Sequence, residues 1–162
     1  RTMRNLQNCR VFNHSAPISL NNTTSAVTNV IDTVGMSGGD LAVIVTLGAT
    51  AGNFSALKVQ ESDDNSSYSD VTGCVVATST DIDGGATDLP DGTNDDAGTY
   101  LFHIALTESR KRYFKVVATE DNTGASLFSV VAVVTPNADS AAFSNAGQLD
   151  SSPSDNCVLR AT

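Results

Sequence analysis

The chain has 162 residues, of which 40% are hydrophobic and 17% are charged, and its formal net charge is −9. This length suits one domain with a hydrophobic core, and the apolar share is too high for a disordered chain. The acidic balance argues against duplex nucleic acid as a partner, because such binding needs a basic surface. No run approaches the length of apolar sequence that a membrane-spanning helix needs, so no membrane segment is predicted.

Charge and composition differ between the ends and the middle of the chain. Residues 1–22 contain Arg1, Arg4 and Arg10 and no acid, whereas residues 61–96 contain ten acidic residues and no base. Residues 1–22 are expected to be poor in strands, and residues 137–162 are rich in Ala, Ser, Asn and Asp. Both ends are predicted to be arms that lie against another surface, with flexible termini as the alternative. The predicted organisation is a basic N-terminal arm (1–22), a β-sandwich domain (23–136) and a C-terminal arm (137–162).

Strand patterns recur through the middle of the chain, and no long segment has a helical period. Short runs rich in β-branched and aromatic residues alternate with turns rich in Gly, Asn, Asp and Ser. This arrangement predicts an all-β fold, an antiparallel two-sheet β-sandwich of the jelly-roll kind. The predicted strands are residues 16–20, 26–33, 41–47, 54–62, 68–71, 74–79, 100–106, 112–119 and 127–135.

Residues 56–73, ALKVQESDDNSSYSDVTG, are predicted to form a β-hairpin. Leu57, Val59 and Glu61 share one face of its first strand because side chains alternate along a strand. The polar run 63–67 forms the turn, which is expected to point into solvent. The hairpin holds no group that suggests a reaction.

Residues 127–135 are apolar on both faces of the predicted strand, since valines occupy positions 130, 131, 133 and 134. Such a strand is covered on both sides, or one of its faces contacts another subunit. Val131 and Val133 are therefore the candidate subunit-contact residues.

Arg110, Lys111 and Arg112 form the one tight basic run, and a predicted strand follows it. Two interpretations are equally open. The run meets a carboxylate-rich surface of a partner, or it forms a solvated turn that protects the edge of the sheet.

The acidic stretch 81–96, DIDGGATDLPDGTNDD, is the best metal candidate. Asp81, Asp83 and Asp88 could supply oxygen ligands to calcium, but their spacing departs from that of an EF-hand loop and no glutamate closes the loop. A solvated loop is the favoured interpretation, and no cofactor is predicted.

Candidate catalytic groups are sparse. His14 and His103 are the only histidines, and His103 lies within a predicted strand, which favours a structural role. No nucleophile elbow, phosphate-binding loop, dinucleotide fingerprint or zinc-protease motif occurs. Cys9, Cys74 and Cys157 match no metal or redox spacing, so free or buried thiols are expected, with a Cys9–Cys157 bridge as the alternative. Enzymatic activity is not expected.

Four segments carry a resemblance to a known family: residues 3–18 (MRNLQNCRVFNHSAPI), 47–50 (LGAT), 56–73 and 110–119 (RKRYFKVVAT). Together they resemble capsid cement, or decoration, proteins of tailed bacteriophages, of the kind found on cyanophage heads. The resemblance implies a β-sandwich that binds the outside of the head, typically as an oligomer and most often a trimer. It also implies that the protein clamps neighbouring major capsid subunits, and it brings no catalytic residues.

The leading hypothesis is therefore a virion protein on the outer surface of the capsid, with the major capsid protein and further copies of itself as partners. Neither nucleic acid nor a membrane is a predicted partner. The main alternative is an adhesion module of a head or tail fibre that binds a cell-surface glycan. The candidate capsid-contact residues are Arg4, Arg10 and Phe12 in the N-terminal arm and Arg110, Lys111 and Arg112 in the basic run.

Overall fold

The computed structural model of the chain describes residues 9–20, 25–27, 29–76, 89–90, 98–120, 124–135 and 156–161. Within β1 the side chains of Val11 and of residues 17–20 are described, and for β2 and β10 only the backbone is. The described residues form ten strands and no helix. The strands are β1 (Arg10–Leu20), β2 (Ser25–Val27), β3 (Ile31–Asp32), β4 (Asp40–Thr50), β5 (Phe54–Ser62), β6 (Ser69–Val76), β7 (Thr99–Ala105), β8 (Tyr113–Glu120), β9 (Ser126–Thr135) and β10 (Asn156–Ala161).

The strands form two sheets that enclose the core as a β-sandwich. Sheet A has the strand order β1-β9-β4-β7-β10, and sheet B has the order β2-β8-β5-β6, with β3 also pairing with β8. The pairings are antiparallel except at one edge of sheet A, where β10 runs parallel to β7. The predicted all-β, two-sheet antiparallel sandwich is thus confirmed, with one parallel edge strand added to it.

The antiparallel pairings are nested along the chain. Strand β5 pairs with β6, β4 with β7, β2 and β3 with β8, and β1 with β9. Such nesting arises when a long antiparallel ribbon is rolled so that its strands divide between two sheets. The jelly-roll connectivity stays a prediction, which the strand order favours.

The core lies between the sheets and follows from the period-2 alternation of side chains. In β8 the side chains of Phe114, Val116 and Ala118 are fully buried, while Tyr113 and Lys115 on the opposite face are partly exposed. Each large apolar side chain removed from water contributes about 1.5–3 kcal/mol. Buried and more exposed side chains also alternate along β5 and β9, and β4, β6 and β7 add further core residues such as Val43, Val71 and Phe102.

Most predicted strands are present, with altered boundaries. Strand β5 has the predicted bounds, and β4, β7, β8 and β9 differ from their predictions by one to three residues at an end. The two segments predicted at 68–71 and 74–79 form the single strand β6. Gly73, with φ of 83°, lies within that strand, and the register of β6 against β5 shifts between Lys58 and Gln60. The segment predicted at 26–33 is divided between β2 and β3.

The ends of the chain were predicted less well. The expectation that residues 1–22 are poor in strands is wrong, because β1 covers Arg10–Leu20 and pairs with β9. Pro17 and two register shifts interrupt its pattern, and an edge strand tolerates both because one side of its backbone has no partner among the described strands. No strand was expected within residues 137–162, yet β10 covers Asn156–Ala161.

The turn of the β5–β6 hairpin is organised by one carboxylate. Asp64 Oδ1 accepts hydrogen bonds from the backbone N–H groups of Ser67 at 2.8 Å and Ser66 at 2.9 Å, and from the hydroxyl of Ser62 at 2.8 Å. Asn65 takes a left-handed backbone conformation, with φ of 57°. The two backbone N–H groups, that of Ser67 first, hold the pKa of Asp64 well below its ordinary value.

We predict that Asp64→Ala lowers the melting temperature near neutral pH, because the two N–H groups lose their acceptor. The folded-state pKa of Asp64 is below its ordinary value of 3.8, so its contribution to stability is fully present above that value and is lost as the pH falls towards the folded-state pKa. Thermal unfolding should therefore show a difference between Asp64→Ala and the wild type that shrinks in acid. Asp63→Ala is the control, since that carboxylate is 76% exposed. Equal losses in both variants would contradict the assignment.

Candidate interaction surfaces

The outer face of sheet A, meaning the face turned away from sheet B, carries apolar residues in register across neighbouring strands. One row joins β9, β4 and β7 through Val131, Ile44 and Leu101. The adjacent row joins β1, β9, β4 and β7 through Val11, Val133, Ala42 and His103. The strand β9 that the sequence singled out thus lies inside a continuous apolar band.

The band is covered at one end and open at the other. At β4 and β7, Ala42 and Leu101 are only 4% and 8% exposed. At β9 and β1, Val131 is 39% exposed and Val11 is 65% exposed. A β-sandwich that keeps such valines in contact with water has a surface suited to a partner.

The outer face of sheet A offers no exposed charge on β4, β7 and β9, whose residues are all described. Its only ionisable groups there are Asp40 and His103, which are 2% and 6% exposed. Asp40 Oδ1 lies 3.2 Å from His103 Nε2, and Asp40 Oδ2 is buried without a hydrogen-bond partner. The histidine predicted to have a structural role is therefore a partner of a buried carboxylate.

The outer face of sheet B is polar and its groups bond to one another. Asp70 accepts a hydrogen bond from Gln60 Nε2 at 2.7 Å and one from Lys58 Nζ at 3.0 Å. These bonds, that from Gln60 first, lower the pKa of Asp70. Lys115 Nζ lies 3.7 Å from the centroid of the Tyr68 ring, which adds a cation–π contact. A face whose polar groups are satisfied in this way is suited to solvent.

The two arginines of the basic run form ion pairs within the chain. Arg112 donates two hydrogen bonds to the carboxylate of Asp32, at 2.8 Å from Nε and 2.7 Å from Nη2. The bond to Asp32 raises the pKa of Arg112 above its ordinary value. Arg110 Nη1 donates to Glu61 Oε1 at 3.3 Å, and both of those side chains are largely buried. Much of the charge of the run is thus neutralised by strands β3 and β5.

Lys111 between them is the least constrained cation of the run. Its Nζ donates to Ser69 Oγ at 3.2 Å and lies 3.9 Å from Asp63 Oδ2. Its backbone N–H donates to Glu61 Oε2 at 3.3 Å. Glu61 and Asp63 belong to the acidic segment 61–96, so part of that segment neutralises the basic run. A contact of Arg110, Lys111 and Arg112 with a capsid stays a prediction.

The basic run also borders an open cleft of about 310 Å³. Its lining comprises residues 33–35, 37, 63, 106–108 and 110–112, of which Val34 is 48% exposed. Each of the three cations at its wall has an acidic partner in the same chain. The cleft therefore has no unpaired cationic side chain that would favour an anionic ligand.

Strand β1 places two candidate capsid-contact residues beside the candidate subunit contact. Arg10 pairs with Val134 and Phe12 pairs with Ala132, while Val11 pairs with Val133. The side chains of Arg10 and Phe12 and the whole of Arg4 lie outside the described part of the chain. Residues of β1 and β9, more than 100 positions apart in the sequence, thus lie on neighbouring strands. Their positions in the sequence did not predict this pairing.

The remaining candidates add no site to the described part of the molecule. Asp81, Asp83 and Asp88 lie outside it, so the calcium candidate stays a prediction. No group of three or more His, Cys, Asp or Glu residues among the described positions could hold a metal ion. Cys9 and Cys74 are thiols, as predicted, and the alternative Cys9–Cys157 bridge is not formed. The described ranges include no helix long and apolar enough to cross a membrane.

We predict that His103→Leu destabilises the fold by about 3 kcal/mol or more, because it leaves the buried Asp40 carboxylate without this partner. The double variant Asp40→Leu/His103→Leu should recover part of that loss, since an apolar pair replaces the buried polar one. Urea denaturation of both single variants and the double variant measures the coupling. Additive losses would show that the two side chains act independently.

Comparison of the chain with models of known protein families gives no match, and comparison with curated protein sequences gives none either. The resemblance to capsid cement proteins therefore stands on the four sequence segments alone and remains a hypothesis.

Proposed function

We propose that the chain is a structural protein of a phage virion, a capsid cement protein that attaches to the outside of the head through the outer face of sheet A. In this proposal β1 contributes Val11 to the capsid contact, since Arg10 and Phe12 pair with the inner-row residues Val134 and Ala132, and β9 contributes Val131 and Val133 to contact between copies. The residues of this surface perform no chemistry. They bind a protein surface and exclude water from it.

The contrast between the two outer faces carries the proposal. Sheet A presents exposed valines and no exposed charge on its central strands, whereas the exposed Val75 of sheet B pairs with Lys58 and lies among hydrogen-bonded polar groups and an ion pair. Burying one exposed valine contributes at most about 1.5 kcal/mol, so a single contact of this size is weak. Many identical copies on one shell add such contacts through avidity, which is how a weak surface holds a lattice together.

The tyrosines favour this proposal over a glycan-binding adhesion module. Glycan-binding surfaces place sugars against aromatic rings that are open to solvent. The Tyr68 ring is covered by Lys115, the Tyr113 ring has Arg112 Cζ at 4.7 Å from its centroid, and Tyr100 is 6% exposed. All three tyrosine rings thus contact other groups of the fold or are buried, whereas Val11 and Val131 of sheet A are exposed.

We predict that Val131→Asp weakens attachment at least tenfold, because it puts a charge into the apolar band. Val75→Asp is the matched control, since Val75 on β6 of sheet B is 37% exposed and Val131 is 39% exposed. Both variants should keep the wild-type circular dichroism spectrum. Co-sedimentation with heads of the parent phage that lack this protein, and light scattering of the free protein, should report a loss of at least tenfold in affinity for Val131→Asp alone. Equal behaviour of the two variants would contradict a role for sheet A.

We predict that removal of residues 1–9 also weakens attachment, since it removes Arg1 and Arg4 and leaves β1 whole. Adding Arg10→Glu to the truncated chain should weaken it further, because the last positive charge of residues 1–22 becomes negative. The number of copies bound per head, measured by quantitative gel densitometry, checks both changes. Unchanged occupancy in the truncated chain would exclude the basic arm from the contact.

A further inference from the structure

Strand β10 is attached to the sandwich in a way that differs from every other described strand. It lies at the edge of sheet A and runs parallel to β7, with six consecutive residue pairs and no register shift. The first pair joins Asn156 to Thr99, and the last joins Ala161 to Ile104. Strand β10 therefore depends on one neighbour in its own sheet, and β7 depends on β10 to close its edge.

The burial of β7 indicates that a further strand has to cover its edge. Its five central residues, Tyr100 to Ile104, are all buried, so both faces of the strand are covered. Without β10 the N–H and C=O groups on one side of this strand would lack partners. An open edge beside buried apolar residues readily pairs with another strand.

The chain between β9 and β10 is much longer than the path that it has to cover. Strand β9 ends at Thr135, which pairs with Asp40 and so lies level with Ala105, whereas Asn156 lies level with Thr99. Six residues along the strands and three strand spacings across the sheet separate the two ends by about 25 Å. The twenty intervening residues, 136–155, could extend to about 70 Å. This tether is long enough to bring β10 to the β7 edge of a neighbouring copy.

We propose that the β7 edge accepts β10 from a second copy of this chain, so that neighbouring copies exchange their C-terminal strands. The backbone hydrogen bonds are the same within one chain and between two, and therefore the balance is set by local concentration. A second copy is the favoured occupant because every copy carries the strand whose residues already fit β7 in register. The proposal rests on the proposed function in one respect only. A capsid would hold copies so close together that exchange of β10 between chains exceeds its pairing within one chain.

Disulfide trapping between two differently marked chains tests the exchange. In a background with Cys9, Cys74 and Cys157 replaced by alanine, one chain carries Thr99→Cys and the other carries Asn156→Cys. Neighbouring residues of paired strands lie within the Cα separation that a disulfide needs. The two chains are mixed, unfolded, refolded together at increasing concentration and oxidised. A disulfide-linked heterodimer on a non-reducing gel, increasing with concentration, is the expected result.

Two controls make the outcome decisive. Ala105→Cys replaces Thr99→Cys in a parallel experiment, and it should give no heterodimer, because Ala105 lies at the opposite end of β7 from the partner of Asn156. The double variant Thr99→Cys/Asn156→Cys in one chain reports pairing within a copy. Internal closure of that variant, with no heterodimer in the mixture at any concentration, would overturn the proposal.

A second measurement covers the case in which the cysteine variants fail to fold. The full chain is titrated with a labelled synthetic peptide of residues 154–162, and binding is followed by fluorescence anisotropy. Saturable binding supports exchange, because the peptide must replace β10 at the β7 edge, and the absence of binding overturns it. Both experiments use the free protein without a capsid, so their failure would leave the proposed attachment to a head to be tested by the valine and N-terminal variants.

Discussion

The fold depends on the antiparallel pairing of β4 with β9 on one side and β7 on the other. This three-strand unit buries residues on both of its faces, since Val43 and Phe102 point into the sandwich and Ala42 and Leu101 are buried on the outside. Because the side-chain period of a strand is two, a slip of one residue in either pairing would exchange the inner and outer sets. The register therefore fixes the core and, at the same time, the composition of the outer face.

The same register determines where partners can bind. The inner rows are closed by sheet B, whereas the outer rows continue past β4 to the exposed valines of β9 and β1. A charge within these rows would oppose contact with another protein, and the only ionisable pair at β4 and β7, Asp40 with His103, is buried. Sheet B takes the opposite role, with its polar groups bonded to one another. One sandwich thus has one face suited to water and one suited to protein, which is the physical basis of the proposed attachment.

The β-architecture and much of the core were accessible from the sequence because local alternation encodes them. The alternation placed Leu57 and Val59 on one face of β5, and both are fully buried, as are Phe114 and Val116 on the inner face of β8. The failures occurred where the strand signal is not local. Proline is unfavourable within most strands, so Pro17 argued against a strand as long as β1. The edge position of β1 permits this proline. The short sequence of β10, which polar residues flank, forms a strand by pairing with the edge of β7.

What the sequence determined by itself was the fold class, the alternation of β5 and β8 and the hairpin at residues 56–73, since neighbouring residues specify each of these. What only the tertiary structure decided was which residues meet. It placed the basic run at 110–112 against Asp32, Glu61 and Asp63, so that charges separated by about fifty to eighty positions neutralise one another. It also placed β1 beside β9 and β10 beside β7. Long-range strand pairing depends on loop closure and on the competition of all strands for partners, and a single sequence does not display either one.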